Sequence, residues 1–126
     1  MIKLFLPILP SAALGGNARG HWSKSHSERA DVRRSAMIYA KQLRVPQLEG
    51  RQLATVTVYT PRPGVRRDWD NYLKRLKPVW DGIVDAGLLP DDSSEHLVPV
   101  QADPLFVRPG KQGEGLLIVF TEGGRR

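Results

Sequence analysis

The spacing of hydrophobic residues alternates along the chain between the period of a strand and the period of a helix. The order of these segments constrains the fold more than any other feature of the sequence. Residues 2–9 are largely apolar, and residues 53–60 alternate small and β-branched side chains, so both are predicted strands. Residues 97–107 and 116–121 are predicted to form two more. With the two helical segments, the order is βαβαββ. For a chain of 126 residues, this order predicts one small α/β domain, residues 1–126, with a mixed four-stranded sheet.

The two predicted helices differ in continuity. The first carries an apolar stripe at helical spacing, formed by Val32, Ala36, Ala40 and Leu43. Ser25 or Ser27 is its predicted N-cap, and it should end before Pro46. The second covers residues 71–86 and contains Pro78, which has no amide hydrogen. This helix should therefore kink near Pro78, or restart with Pro78 at its first position.

The composition narrows the classes of function. The chain has no cysteine, which excludes disulfides and Cys-based zinc sites and fits a reducing cytoplasm. The apolar run of residues 2–9 is interrupted by Lys3 and Pro7, so we expect a strand rather than a signal peptide or a membrane span. There are 19 Lys and Arg against 13 Asp and Glu, and the net charge is +6. This charge balance favours a polyanionic partner.

Two close pairs of aspartates lie among cations in one stretch of the chain: Arg66-Arg67-Asp68-Trp69-Asp70-Asn71, then Lys74 and Lys77, then Asp91-Asp92. In an extended segment, Asp68 and Asp70 would lie on one face and repel each other unless positive charge is supplied. Oxygen donors without Cys or His suit Mg²⁺ or Mn²⁺, which indicates phosphoryl-transfer chemistry. The alternative is structural: Asp68 or Asp70 caps the helix that begins near Asn71, and Asp91-Asp92 forms a polar turn after Gly87.

Residues 66–92 resemble the signature of the RusA family of Holliday junction resolvases. That signature is Asp-x-Asp-Asn, a Lys shortly after, an Asp followed by a small residue, then Ala-Gly and a closing Asp-Asp. The loop with Asn17 and His21-Trp22 is also similar to the family's N-terminal region. The resemblance implies a homodimeric, Mg²⁺-dependent endodeoxyribonuclease of phage or prophage type, with no organic cofactor and no membrane association. Such an enzyme resolves four-way DNA junctions by paired symmetric nicks in recombination and repair.

The resemblance also implies roles for individual residues. Three aspartates match the family's metal-binding and catalytic triad: Asp68, Asp70 and Asp92. Lys74 matches the catalytic lysine when counted forward from Asp70, whereas counting backward from Asp81 selects Lys77. The two counts differ because this chain carries about three extra residues near 76–78 relative to the signature. We predict Lys74, because its spacing from Asp70 is unaffected by the extra residues.

Other residues near these acids are predicted to contact DNA phosphates without reading the base sequence. They are Arg62, Arg66, Arg67 and Lys77, the loop residues Asn17, Arg19 and His21, and the basic face of the first helix. His21, His26 and His96 lack metal-ligand spacing. Trp69 and Trp80 are predicted to anchor the core or a dimer interface.

Two other functions stay open from the sequence. A non-catalytic DNA-binding module would explain the basic composition, but not acids that repel phosphate unless a metal is bound. A metal-dependent nucleotidyltransferase would use an Asp-x-Asp pair. However, the preceding segment, Pro61-Arg62-Pro63-Gly64-Val65, lacks the Gly-Ser phosphate loop usual in such enzymes.

Overall fold

Strands and helices follow each other in the predicted order. The computed structural model describes residues 1–11, 14, 22–64, 69–100 and 106–123, with the backbone alone for 22–25 and 69–71. The elements are β1 (Ile2–Leu6), α1 (Trp22–Gln42), β2 (Gln52–Tyr59), α2 (Trp69–Arg75), α3 (Lys77–Asp85), β3 (Leu97–Val100), β4 (Phe106–Val107) and β5 (Gly115–Glu122). The predicted α/β class is confirmed. The sheet has five strands rather than four, because residues 97–107 contain two short strands, β3 and β4.

The sheet is mixed, with the order β1-β5-β2-β3, and β4 also pairs with β2. β5 runs antiparallel to β1 and β2, whereas β2 is parallel to β3 and β4. The parallel pairing needs a crossover connection, which α2 and α3 supply. Leu4 lies opposite Ile118, and Ile118 lies opposite Val56, so buried side chains form a row across three strands.

One face of the sheet packs against the helices. Burial alternates along β2, as the predicted strand period requires. The helices contribute small and large apolar side chains to this core: Val32, Ala36 and Ala40 from α1, and Val79, Trp80 and Ile83 from α3. Each large aliphatic side chain buried there stabilises the fold by about 1.5–3 kcal/mol. Within the described ranges, no helix has the length and apolar character needed to cross a membrane.

The start of α1 differs from the prediction. The helix begins at Trp22, so Ser25 and Ser27 lie inside it and neither is its N-cap. The apolar stripe begins only at Val32, and nothing in that periodicity marks how far the helix extends upstream. Its end agrees with the prediction, because Gln42 is the last helical residue, well before Pro46.

The predicted break between the two parts of the second helix lies at Leu76. The Leu76 N–H donates to the Leu73 carbonyl at 3.0 Å, which tightens the last turn of α2. α3 then begins at Lys77 with Pro78 in its first turn, where a missing amide hydrogen costs no helical hydrogen bond. Because the Leu76 side chain is fully buried, the bend is anchored in the core.

Candidate active site and adjoining basic cleft

A glycine turn reverses the chain after α3. Gly87 has a φ of +82°, a left-handed conformation that favours glycine. Its N–H donates to the Val84 carbonyl at 2.9 Å, and the Leu88 N–H donates to the Ile83 carbonyl at 3.2 Å. These two bonds form a Schellman motif, and Leu88 and Ile83 are both buried. The chain therefore turns back and carries Asp92 to the beginning of α3.

Lys77 lies between two carboxylates at the beginning of α3. Its Nζ is 2.5 Å from Asp92 Oδ2 and 3.0 Å from Asp81 Oδ1. The hydrogen bond to Asp92, followed by that to Asp81, raises the pKa of Lys77 above its ordinary value of 10.5. The Lys77 side chain is 55% exposed and that of Asp92 29% exposed. This lysine is therefore charged, held by two acids and accessible to a ligand.

The two acids of the closing pair have different surroundings. Asp91 Oδ1 accepts a hydrogen bond from the Ser93 N–H at 2.8 Å, which closes an Asx turn. Hydrogen bonds from Ser93 also lower the pKa of Asp91. His96 Nε2 lies 3.7 Å from the other oxygen of Asp91. Asp91 therefore stabilises its own turn, whereas Asp92 contacts Lys77.

Much of the predicted site lies outside the described residues. This applies to Asn17, Arg19, His21, Arg66, Arg67 and Asp68. Asp70 is the second residue of α2, and its side chain is also outside the described set. Of the predicted triad, only the Asp92 side chain is described. In the part of the chain that the structure covers, no three His, Cys, Asp or Glu side chains are grouped as metal ligands.

Lys74 and Lys77 have different environments. Lys74 is exposed near the end of α2, and the ion pairs among described side chains do not include it. Lys77 contacts Asp92, so counting backward from Asp81 selects the lysine that lies beside the closing acid. Among the described side chains, Lys77 rather than Lys74 therefore lies beside an acid of the predicted triad. Arg62 is exposed in the loop after β2, where its N–H donates to Thr60 Oγ1 at 3.4 Å.

α3 is held close to α1 by an ion pair and by a glycine. Arg33 Nε and Nη2 donate to Asp85 Oδ2 and Oδ1 at 2.6 and 2.9 Å. This bidentate contact raises the pKa of Arg33 and lowers that of Asp85. A Cβ added at Gly82 would overlap the Arg33 carbonyl oxygen and crowd Ala36 Cβ. Packing therefore explains why the small residue Gly82 follows Asp81, because a larger side chain there would push α1 and α3 apart.

A cleft of about 260 Å³ lies between α1 and α3, next to the candidate active site. His26, Arg29, Ala30 and Arg33 of α1 line it together with Lys77, Pro78 and Asp81 of α3. The sequence predicted a basic face on α1, but not which of its residues meet α3. The only available signal was the spacing of His26, Arg29 and Arg33, which places them on one side of a helix.

The chain is similar to a protein from Xylella fastidiosa (strain Temecula1 / ATCC 700964) that is named "Uncharacterized protein". The two are 37% identical over 91 residues, which are 68% of this chain and 58% of that protein. The chain therefore spans less than two thirds of this relative's length. No family model matches the chain. These comparisons assign no activity.

Proposed function

We propose that this chain is a Mg²⁺-dependent endodeoxyribonuclease of the RusA type, from a phage or prophage. It acts as a homodimer on four-way DNA junctions, cutting them by paired symmetric nicks during recombination and repair in the cytoplasm. The observation that carries the proposal is the contact of Lys77 with Asp92, residues separated by 15 positions. It joins a lysine and the closing acid of the RusA-like signature, directly after the helix that contains Asp70.

The donor set fits a hard divalent cation. Asp92 offers carboxylate oxygens at a partly exposed position, and the chain has no thiol that would favour a softer metal. Asp68 and Asp70 would hold Mg²⁺ together with Asp92, and Mn²⁺ is a reasonable substitute. When bound, such an ion supplies phosphate polarisation and a water-derived nucleophile at neutral pH.

Lys77 is the residue to which we assign charge stabilisation. Its amine stays protonated, so it can donate to the phosphoryl oxygens on which negative charge grows in the transition state. Asp81 and Asp92 hold the amine at the start of α3, and the buried Leu76 anchors that start. Removing a positioned donor of this kind typically lowers the catalytic rate by about 10²–10³-fold.

Single-turnover cleavage of a labelled four-way junction tests the proposal. With Mg²⁺, the protein should produce paired nicks that leave 5′-phosphate and 3′-hydroxyl ends and can be ligated. Lys77→Ala should lower the rate by roughly 10²-fold with little change in junction affinity. Lys74→Ala removes the same charge one turn earlier and is the matched control, which should cleave at close to the normal rate.

Different results of this cleavage assay would contradict different parts of the proposal. A folded wild-type protein that leaves four-way junctions intact with both Mg²⁺ and Mn²⁺ would contradict the nuclease proposal. A rate loss in Lys74→Ala alone would return the catalytic role to Lys74. Parallel incubations with linear duplex and with nucleoside triphosphates identify a general nuclease or a nucleotidyltransferase.

Two further measurements address the acids and the assembly. Asp70→Asn and Asp92→Asn should each abolish cleavage while junction binding is kept or strengthened, because a negative charge near the phosphates is removed. Symmetric incision of a two-fold symmetric junction calls for two active sites, so light scattering should give the mass of a dimer. A stable monomer that still makes paired nicks would contradict the dimer.

A further inference from the structure

We propose that the cleft between α1 and α3 binds a DNA backbone phosphate next to the one held at the candidate active site, with Arg29 as its main contact. This inference rests on the proposed function, because its ligand is part of the DNA substrate. It adds a substrate-binding site on α1, a helix that contains none of the acids of the RusA-like signature.

The charges around the cleft favour an anion. Three permanent cations, Arg29, Arg33 and Lys77, and one carboxylate, Asp81, line it. Asp85 and Asp92 do not line the cleft but pair with Arg33 and Lys77, so the cation left unpaired there among the described side chains is Arg29. The Asp81 carboxylate lies 3.0 Å from the Lys77 amine, which offsets its repulsion of a phosphate. The cleft is also bounded by Ala30 and Pro78, whose apolar surface limits the access of water to a bound group.

Among the three permanent cations of the cleft, Arg29 is the one that no carboxylate of the described residues holds. Arg33 is committed to Asp85 through two hydrogen bonds, and Lys77 is committed to Asp81 and Asp92. Arg29 is exposed on α1, and the ion pairs of the described residues do not involve it. Its planar guanidinium can donate two parallel hydrogen bonds to a phosphate.

The position of the cleft explains why its ligand would be a neighbouring phosphate of the same DNA. Lys77 is part of both the cleft and the candidate active site, because it lines the cleft and contacts Asp92. A DNA strand with its scissile phosphate near Asp92 would therefore extend along α1 past Arg29. A contact of this kind adds affinity and orientation without reading bases.

The test is binding of a labelled four-way junction over a series of salt concentrations, in EDTA so that no cleavage occurs. Arg29→Gln should weaken binding by roughly fivefold near 0.1 M salt and reduce the slope of log K against log salt by about one. Arg34→Gln removes the same charge from an exposed position of α1 that does not line the cleft, and it should lose much less affinity than Arg29→Gln. Arg29→Lys keeps the charge and should retain most of the affinity.

The results distinguish this inference from the nuclease proposal. If Arg29→Gln binds as wild type does, or if Arg34→Gln loses as much affinity, the cleft is not a phosphate site. Wild-type protein that binds no DNA would overturn the cleft site as well. If Arg29→Gln alone binds more weakly but wild type with Mg²⁺ does not cleave, the cleft site stands and the nuclease proposal fails. Circular dichroism of each variant verifies that it is folded.

Discussion

Replacing Gly82 by alanine should destabilise the protein, although alanine is the better helix former. Helix propensity alone would favour alanine within α3 by about 1 kcal/mol. The added Cβ, however, would overlap the Arg33 carbonyl oxygen and lie 2.7 Å from Ala36 Cβ and 3.0 Å from the Met37 nitrogen. Two of these atoms belong to the backbone of α1. Relief therefore requires a shift of one helix against the other, not a new side-chain rotamer.

The expected loss in the free energy of unfolding is the cost of the steric overlap minus the gain in helix propensity. Overpacking a well-packed contact costs about 1–3 kcal/mol. A backbone clash belongs at the upper end of that range, because moving α3 would also strain the Arg33–Asp85 ion pair. Subtracting about 1 kcal/mol of helix propensity from about 3 kcal/mol leaves a net loss near 2 kcal/mol. For a domain of this size, that loss lowers the Tm by roughly 8 °C.

Equilibrium urea unfolding followed by circular dichroism measures this loss directly. Gly64→Ala is the control, because a Cβ at Gly64 would meet no atom of the described residues within 4 Å. Its free energy of unfolding should stay within about 0.5 kcal/mol of wild type. If Gly82→Ala is as stable as wild type or more stable, helix propensity dominates, and α1 and α3 are not packed as closely as described.

Two other substitutions give separate stability predictions. Gly87→Ala should lower the free energy of unfolding by about 1–2 kcal/mol in urea titrations, because φ is +82° there; unchanged stability would contradict the role of the Schellman motif. Asp85→Asn should weaken the dependence of stability on acid pH. Arg33 lowers the pKa of Asp85 below 3.8, so the stabilisation is present above the unfolded pKa and is lost as pH falls through the folded value. Thermal melts below about pH 4 should show wild type losing stability faster than the variant; equal acid slopes would count against the ion pair.

The fold could be predicted where one physical constraint decides the outcome. Pro78 cannot occupy a helix interior without loss, so the break before α3 was visible in the sequence. The alternation in residues 53–60 likewise identified β2. The beginning of α1 was not predictable in this way, because Trp22 lies far upstream of the apolar stripe that marks the helix.

The site was predicted less completely, because it depends on tertiary contacts. The sequence singled out Asp92 and offered both Lys74 and Lys77, but the return of Asp92 to Lys77 depends on the turn at Gly87. The cleft could not be assembled from sequence spacing, because Arg29 and Lys77 belong to different helices. Their proximity follows from the packing of α1 against α3.

The position of β5 has a consequence for how the chain folds during synthesis. It is the last described strand to leave the ribosome, yet it pairs with both β1 and β2. Until it appears, β1 lacks the strand it pairs with, and the apolar side chains of Leu4 and Leu6 lack their cross-strand neighbours. Ile2 pairs with Phe120, a residue far away in the sequence, which makes closure of the sheet slow. A nascent chain therefore leaves the edges of β1 and β2 that face β5 unpaired until β5 is inserted, and unpaired strand edges favour aggregation.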